Sequence, residues 1–247
     1  MKHCEYIRKI DGSENAIVMI HGILGTPHHF DYLLEYIPAD WSVYAILLDG
    51  HGSDVRAFSK TSMKKWEAQT AKVFNRVSKE HKNVYAAGHS MGTLLTIGYA
   101  NTHPCVIKKV FLMAIPLRAW LRPPIFENAT RVMLRKRKQN DPVCDATFCA
   151  CSIDHRGAYL WEYIGWIPRF WELLIKIEKT RKILPNMRIK GVAFQSGKDE
   201  LVWPGSYRLI KDHPTLRAYL LKDSYHFYYT DCDRKRIIDE FKRFVDV

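Results

Sequence analysis

Val84-Tyr85-Ala86-Ala87-Gly88-His89-Ser90-Met91-Gly92 is an apolar run that ends in Gly-x-Ser-x-Gly, and a helix-like segment, Thr93 to Asn101, follows at once. This pattern predicts a strand-to-helix turn so tight that the serine sits strained at its tip. The spacing has a steric reason. Side chains two residues before and two after the serine would strike the neighbouring strand or helix, and Gly88 and Gly92 remove that clash. The turn also aims the first N–H groups of the helix at any negative charge growing beside Ser90. An ordinary βα turn with an exposed serine can carry the same five residues, so the partners elsewhere in the chain decide the reading.

Strands and helices alternate on both sides of the turn. Ala16 to Ile20 and Val43 to Leu48 are short, continuously apolar runs, expected as buried strands that end in His21-Gly22 and Asp49-Gly50-His51-Gly52. Tyr32 to Tyr36 suggests a helix stopped near Pro38. Thr61 or Ser62 caps a long helix to about His81, with Trp66, Thr70, Val73, Phe74 and Val77 on its inner face. Val106 to Ala114, Ile189 to Ser196 and Leu216 to Leu221 read as further strands, Pro204 opens a helix, and Asp231 to Val247 is a terminal amphipathic helix. Repeated βαβ units predict an α/β fold with a mainly parallel central sheet flanked by helices. From Leu117 to about Met187 the rhythm breaks into helix-like pieces rich in tryptophan.

Three chemically useful side chains fall at the carboxyl ends of predicted strands: Ser90, Asp199 and His226. In an open parallel sheet those ends share one edge. A serine hydroxyl is a poor nucleophile until a histidine takes its proton, and a carboxylate fixes the tautomer of that histidine. Glu200 is a rival to Asp199; Asp199 is favoured because it lies closer to the strand end and precedes Leu201-Val202. His213 is the nearest rival to His226, but only His226 follows the last strand and precedes the closing helix.

Composition narrows the field. A chain of 247 residues can bury the core of one large domain, or of one domain carrying an insertion. No apolar run approaches the roughly 18 residues of a membrane-spanning helix, and Met1 to Tyr6 lacks the apolar centre of a signal peptide, so a cytoplasmic protein is expected. Cys144, Cys149 and Cys151 lack the paired spacing of a zinc site and are expected as reduced thiols, with no metal and no cofactor. The formal charge of +12 reads as a solvated basic surface, because nothing resembles a nucleic-acid-binding module.

Five motifs in this order resemble the bacterial carboxylesterases and monoacylglycerol lipases of the α/β-hydrolase superfamily. They are His21-Gly22-Ile23-Leu24-Gly25-Thr26-Pro27, Leu48-Asp49-Gly50-His51-Gly52, Gly88-His89-Ser90-Met91-Gly92, Gly197-Lys198-Asp199-Glu200-Leu201-Val202 and Ser224-Tyr225-His226. The resemblance implies an α/β-hydrolase fold with an inserted helical cap. The core would be 1–116 and 188–247, and the cap 117–187. It further implies a triad of Ser90, Asp199 and His226, with an oxyanion hole made by the backbone N–H groups of Ile23 and Met91. His21, His51 and His89 are read as structural. Asp49 and Thr93 depart from the family's commoner Pro and Gly, which bears on local packing and not on the triad.

The implied activity is hydrolysis of short- to medium-chain carboxylic esters, monoacylglycerols among them, by a monomer or weak homodimer. Other acyl compounds (hydroxycinnamoyl esters, amides, thioesters) form the nearest alternative, since fold and nucleophile do not fix the leaving group. A catalytically silent binding relative is a more distant one. Within the cap, Trp120, Leu121, Ile125 and Phe126, and the run of Trp161, Tyr163, Ile164, Trp166, Ile167, Phe170, Trp171, Leu173 and Leu174, are expected for about two thirds to hold the cap together. The basic run Arg131 to Lys138 is expected to be a solvated helix face, with transient contact to an anionic lipid surface as the alternative.

Overall fold

Six parallel strands and one antiparallel edge strand form the central sheet of the computed structural model, which describes residues 3–118, 127, 130–132, 134 and 136–246. In chain order they are β1 (Tyr6–Arg8), β2 (Asn15–Ile20), β3 (Ser42–Ile46), β4 (Asn83–His89), β5 (Ile107–Met113), β6 (Lys190–Ser196) and β7 (Leu216–Leu221). Their order across the sheet is β1-β3-β2-β4-β5-β6-β7. β1 alone runs antiparallel, with Tyr6 opposite Ala45.

The continuous apolar runs have a plain cause: both faces of the sheet are covered, so both residues of each alternating pair must be apolar. Ala16, Val18 and Ile20 join Val84, Ala86, Val110 and Leu112 on one face. Ile17, Met19, Tyr85, Ala87, Phe111 and Met113 line the other. The first face carries α3 (Met63–Glu80) and α4 (Met91–Thr102). α3 is capped by the Ser62 side chain, which accepts the Lys65 N–H at 3.2 Å, and it turns Trp66, Thr70, Phe74 and Val77 inward as expected, with Val73 half-buried. The second face carries α1 (Asp31–Leu34) and α8 (Asp231–Val245), whose Ile237, Phe241 and Phe244 pack on Phe111. Burying each such side chain contributes about 1.5–3 kcal/mol. α8 has Asp231 and Asp233 in its first turn and Lys242 and Arg243 in its last, the arrangement that complements the helix dipole.

Two elements are absent from the sequence reading: β1, and α2 (Val55–Ser59), which is capped by the Asp54 side chain on the Ala57 N–H at 2.8 Å. Between β5 and β6 the described chain forms α5 (Pro142–Ala150), a 3₁₀ segment (Leu160–Trp166) and α6 (Ile167–Ile183), with no strand of the sheet. α6 packs on α3 and α4. Its buried Lys176 crosses α4 over Gly98 and meets Glu67 of α3 at 2.6 Å. α7 (Tyr207–Ile210) follows the 3₁₀ turn that Pro204 opens.

The expectation for the aromatic residues of this region needs correction. Trp120, Leu121, Ile125 and Phe126 lie outside the described residues. Of the nine described residues, Trp166 is buried and Tyr163 and Leu173 are half-buried, whereas Trp161, Ile164, Ile167, Phe170, Trp171 and Leu174 are exposed. Helical spacing says that residues share a face; it does not say that the face meets protein. In the basic run, Arg131, Arg137 and Lys138 reach Glu127, Asp145 and Asp141 at 2.8, 3.8 and 3.2 Å, while Met133 and Arg135 lie outside the described residues. No described helix is long and apolar enough to cross a membrane.

Candidate active site

The turn after β4 has the strain its sequence predicts. Ser90 sits at φ 51°, ψ −121°, a region disfavoured for any residue with a side chain. It is held there from both ends: its N–H donates to the Met113 carbonyl at 2.9 Å, and its own carbonyl accepts from the Thr93 N–H at 2.9 Å and the Thr93 hydroxyl at 2.6 Å. Thr93 therefore has a definite task in this turn. A Cβ on Gly92 would run into the Ile20 carbonyl, and one on Gly88 would meet the Thr93 nitrogen at 2.9 Å.

The loop after β2 packs directly on this turn, since a Cβ on Gly22 would lie 3.0 Å from that of Ser90. Leu24 adopts φ 57°, unusual for a bulky residue, and is pinned at both of its peptide groups. Its N–H donates to His51 Nε2 at 3.0 Å; its carbonyl accepts from the Ser152 N–H at 2.8 Å and the Ser152 hydroxyl at 3.2 Å. His21 does parallel work, with Nε2 accepting the Leu48 N–H at 3.0 Å and Nδ1 donating to the Gly22 carbonyl at 2.8 Å. Both rings are thus occupied by backbone, in keeping with a structural reading. Burial holds His21 well below the usual histidine range and lowers His51 to about 4. Among the described residues neither the Ile23 nor the Met91 N–H has a protein acceptor; Met91 follows Ser90 directly, and Ile23 follows Gly22, the residue that packs on Ser90. Asp49 fixes the neighbouring loop: its carboxylate accepts the Thr61 hydroxyl at 2.8 Å and its carbonyl accepts Trp66 Nε1 at 2.8 Å.

Asp199 and His226 meet across the ends of β6 and β7. His226 Nδ1 lies 3.0 and 2.9 Å from the two Asp199 carboxylate oxygens, and both side chains are buried. Asp199 Oδ1 also accepts the Leu201 and Val202 N–H groups, at 2.9 and 2.8 Å. Those bonds orient the carboxylate before any ligand arrives. Glu200, the rival acid, points elsewhere: its Oε2 accepts the backbone N–H of His226 at 3.2 Å. The His226 loop is tied down by Ser224, whose hydroxyl donates to Asp233 at 2.7 Å and accepts the Thr230 N–H at 3.3 Å.

Burial opposes a charged His226, but the charge and hydrogen bond of Asp199, with Glu200 behind, outweigh it and raise its pKa above the ordinary value. His89, beside Ser90, lies with its ring 4.8 Å from His226 and Nε2 3.1 Å from the His226 carbonyl. Among the described residues the Ser90 hydroxyl makes no hydrogen bond to His226; such contacts are commonly long before substrate binds and tighten in the complex. Ser152 carries no signal in the sequence, and Thr93 and Glu200 stand there only as a packing departure and a rival acid, because their partners are backbone groups distant in the chain or set by a turn.

The sheet order, the strained serine turn and the acid–histidine pair agree with a family model described as the alpha/beta hydrolase fold, which matches residues 15–231. The chain belongs to this family. Over 90 residues it is 30% identical to a thermostable monoacylglycerol lipase of Bacillus sp. (strain H-257), a stretch covering 36% of each chain. It is 26% identical over 169 residues to a probable lysophospholipase, BODYGUARD 4, of Arabidopsis thaliana, covering 67% of this chain and 39% of that one. The matches thus span well under half of those relatives. Among solved structures, one reported for LipS and LipT, two metagenome-derived lipolytic enzymes, superposes with a TM-score of 0.73 at 19% identity, covering 99% of this chain and 97% of the other. The Paleococcus ferrophilus monoacylglycerol lipase follows with a TM-score of 0.67 at 19% identity, covering 98% of both. At such identities the likeness is one of fold, and this α/β-hydrolase resembles the esterase and lipase branch by sequence only over part of its length.

Proposed function

We propose that this α/β-hydrolase is a serine esterase that cleaves short- to medium-chain carboxylic esters, monoacylglycerols among them, through an acyl-enzyme. The reading rests on the buried Asp199–His226 pair at 2.9 Å, at the same sheet edge as the strained Ser90. Ser90 Oγ attacks the ester carbonyl while His226 Nε2 takes its proton; Asp199 keeps the proton on Nδ1 and stabilises the imidazolium. The carbonyl oxygen becomes an oxyanion and is met by the N–H groups of Ile23 and Met91, a pair in which one donor is typically worth about 10²–10³ in rate. Collapse expels the alcohol, protonated by His226, and water repeats the sequence on the acyl-serine.

An ester with an apolar tail suits the exposed face of the 3₁₀ segment and α6, where Leu160, Trp161, Ile164, Ile167 and Trp171 stand 64–80% exposed. With a net charge of +12 and the basic end of α6 (Lys179, Arg181, Lys182), that face fits an anionic lipid surface presenting the substrate. The test is hydrolysis of p-nitrophenyl esters from acetate to laurate by this chain and by Ser90→Ala, with fluorophosphonate labelling in parallel. Turnover and labelling should both vanish in the alanine variant. Full activity in Ser90→Ala would sink the assignment.

A further inference from the structure

Glu200 stands next to the acid that serves the imidazole, yet it has its own hold on His226. Its Oε2 accepts the His226 backbone N–H at 3.2 Å, the residue is only 3% exposed, and its Oε1 is buried with no hydrogen-bond partner. A buried carboxylate with one oxygen unpaired is expensive, whereas a neutral amide could serve the same N–H at less cost. Anchoring the backbone therefore does not explain the charge. The groups facing His226 are Asp199 and Glu200 from the loop after β6, His89 from the end of β4, and His29 tilted against His89 at 3.8 Å. Burial keeps both of those histidines neutral, His29 at about 3 and His89 well below the usual range. Among the described residues, Asp199 and Glu200 are thus the carboxylates that act on a positive charge formed on His226.

We propose that Glu200 is a second positioning residue for His226, fixing its backbone through Oε2 and stabilising, as a carboxylate, the imidazolium that forms in turnover. The inference rests on the serine-esterase reading. Burial raises the pKa of Glu200, and the neighbouring Asp199 adds to this while His226 opposes it. By reciprocity Glu200 is most fully ionised when His226 is charged, the moment at which the charge is useful. Glu200 cannot replace Asp199, because its carboxylate addresses the main chain while Asp199 holds Nδ1.

The test compares wild type with Glu200→Gln, Glu200→Asp and Glu200→Ala on p-nitrophenyl butyrate from about pH 5 to 9, a range that brackets the histidine limb. Tm and fluorophosphonate labelling are followed on the same samples. Glu200→Gln keeps an acceptor for the His226 N–H and should melt close to wild type. Its kcat should fall about tenfold with KM little changed. The acid limb of kcat/KM should move to lower pH, since losing the negative charge lowers the proton affinity of His226. Glu200→Asp, which keeps the charge, should keep the wild-type limb, and Glu200→Ala should lose Tm as well as kcat. A Glu200→Gln variant with wild-type kcat and an unmoved limb overturns the proposal, as does a displaced limb in a folded Glu200→Asp. Wild type that neither turns over nor labels removes the serine reading and this inference with it; labelled wild type beside an unaltered Glu200→Gln profile removes this inference alone.

Discussion

Replacing His51 by Phe tests whether the loop beside Ser90 is held in place by a histidine that takes no part in proton transfer. The ring volume survives, and with it the edge contact to Phe58 at 5.3 Å and the tilted contact to Trp66 at 5.5 Å. What goes is the acceptor for the Leu24 N–H and the donor to the Leu48 and Asp49 carbonyls, both at 3.2 Å. Leaving the Leu24 N–H without a partner costs about 1–3 kcal/mol. For a domain of this size that lowers Tm by roughly 2–4 °C per kcal/mol, so a fall of about 2–12 °C is expected.

The larger consequence is local. Leu24 is held at φ 57° by bonds at both peptide groups, and such strain, of order 1–3 kcal/mol, persists only where the surroundings over-determine it. With one bond gone the loop can relax, and the N–H of Ile23, one residue earlier, turns with it. Loss of an oxyanion donor costs about 10²–10³ in kcat, so at least about a tenfold fall in kcat/KM is expected even if the N–H is only misaimed. Calorimetry and p-nitrophenyl butyrate kinetics on the same preparation read both effects. His51→Gln, whose amide oxygen can accept the Leu24 N–H, should recover part of each. A variant that loses the expected Tm while keeping wild-type kcat/KM would refute the idea that this loop presents an oxyanion donor. One that loses neither would refute the Leu24 bond itself.

Acid should unfold the protein through its buried neutral histidines. Burial lowers the pKa of His21, His29, His51 and His89, to about 3 for His29 and about 4 for His51, so between the unfolded value and these the unfolded chain binds more protons. Stability is then complete above about pH 6.5 and falls on acidification, each such histidine adding up to about 1.4 kcal/mol per pH unit; urea midpoints measured from pH 7 to 4 should decline steadily, and a flat profile would contradict the burial of these rings. At the surface, Trp161→Asp and Trp171→Asp change residues that are each 64% exposed, so Tm should hold while binding to phosphatidylglycerol vesicles weakens about tenfold or more. Unchanged vesicle binding in a sedimentation assay would remove the lipid-facing role of α6.

What the sequence made legible follows from what was local. Covered parallel strands must be apolar on both faces, so Ile17 and Val18 on opposite sides of β2 read as one run, and Gly88 of the serine turn answers to a clash with Gly92 and Thr93 within a few residues of Ser90. β1 was hidden for the opposite reason. Its three residues are largely exposed, and it is secured by Arg8, which donates to the Pro38 carbonyl at 2.7 Å and the Trp41 carbonyl at 3.2 Å. No pattern within Tyr6–Arg8 contains those partners. The tryptophans between β5 and β6 divide similarly. Trp166 is buried with its Nε1 donating to the Val55 carbonyl at 3.0 Å, whereas Trp161 and Trp171, five residues to either side, face outward. The composition is the same for all three, and only α2, an element missed in the sequence, tells them apart.

The choice of His226 among eleven histidines began as an argument from chain order, and the structure supplies an independent electrostatic one. His21, His51, His89 and His226 are buried, and His29 is half-buried. Burial alone lowers a histidine's pKa, and in four of them it wins. Their ring nitrogens meet backbone groups or, for His29, the Tyr229 hydroxyl at 3.4 Å, all of which are satisfied by a neutral ring. His226 meets Asp199 and has Glu200 behind it, and there the direction reverses. On the proposed serine-esterase reading, a proton leaving Ser90 has one imidazole on which to rest, and the neutral rings around it keep that proton from spreading into the loop that carries Ile23. Neutral His21 and His51 hold that loop only while unprotonated, so the division of labour among these side chains depends on where the carboxylates stand and not on how deeply the rings are buried.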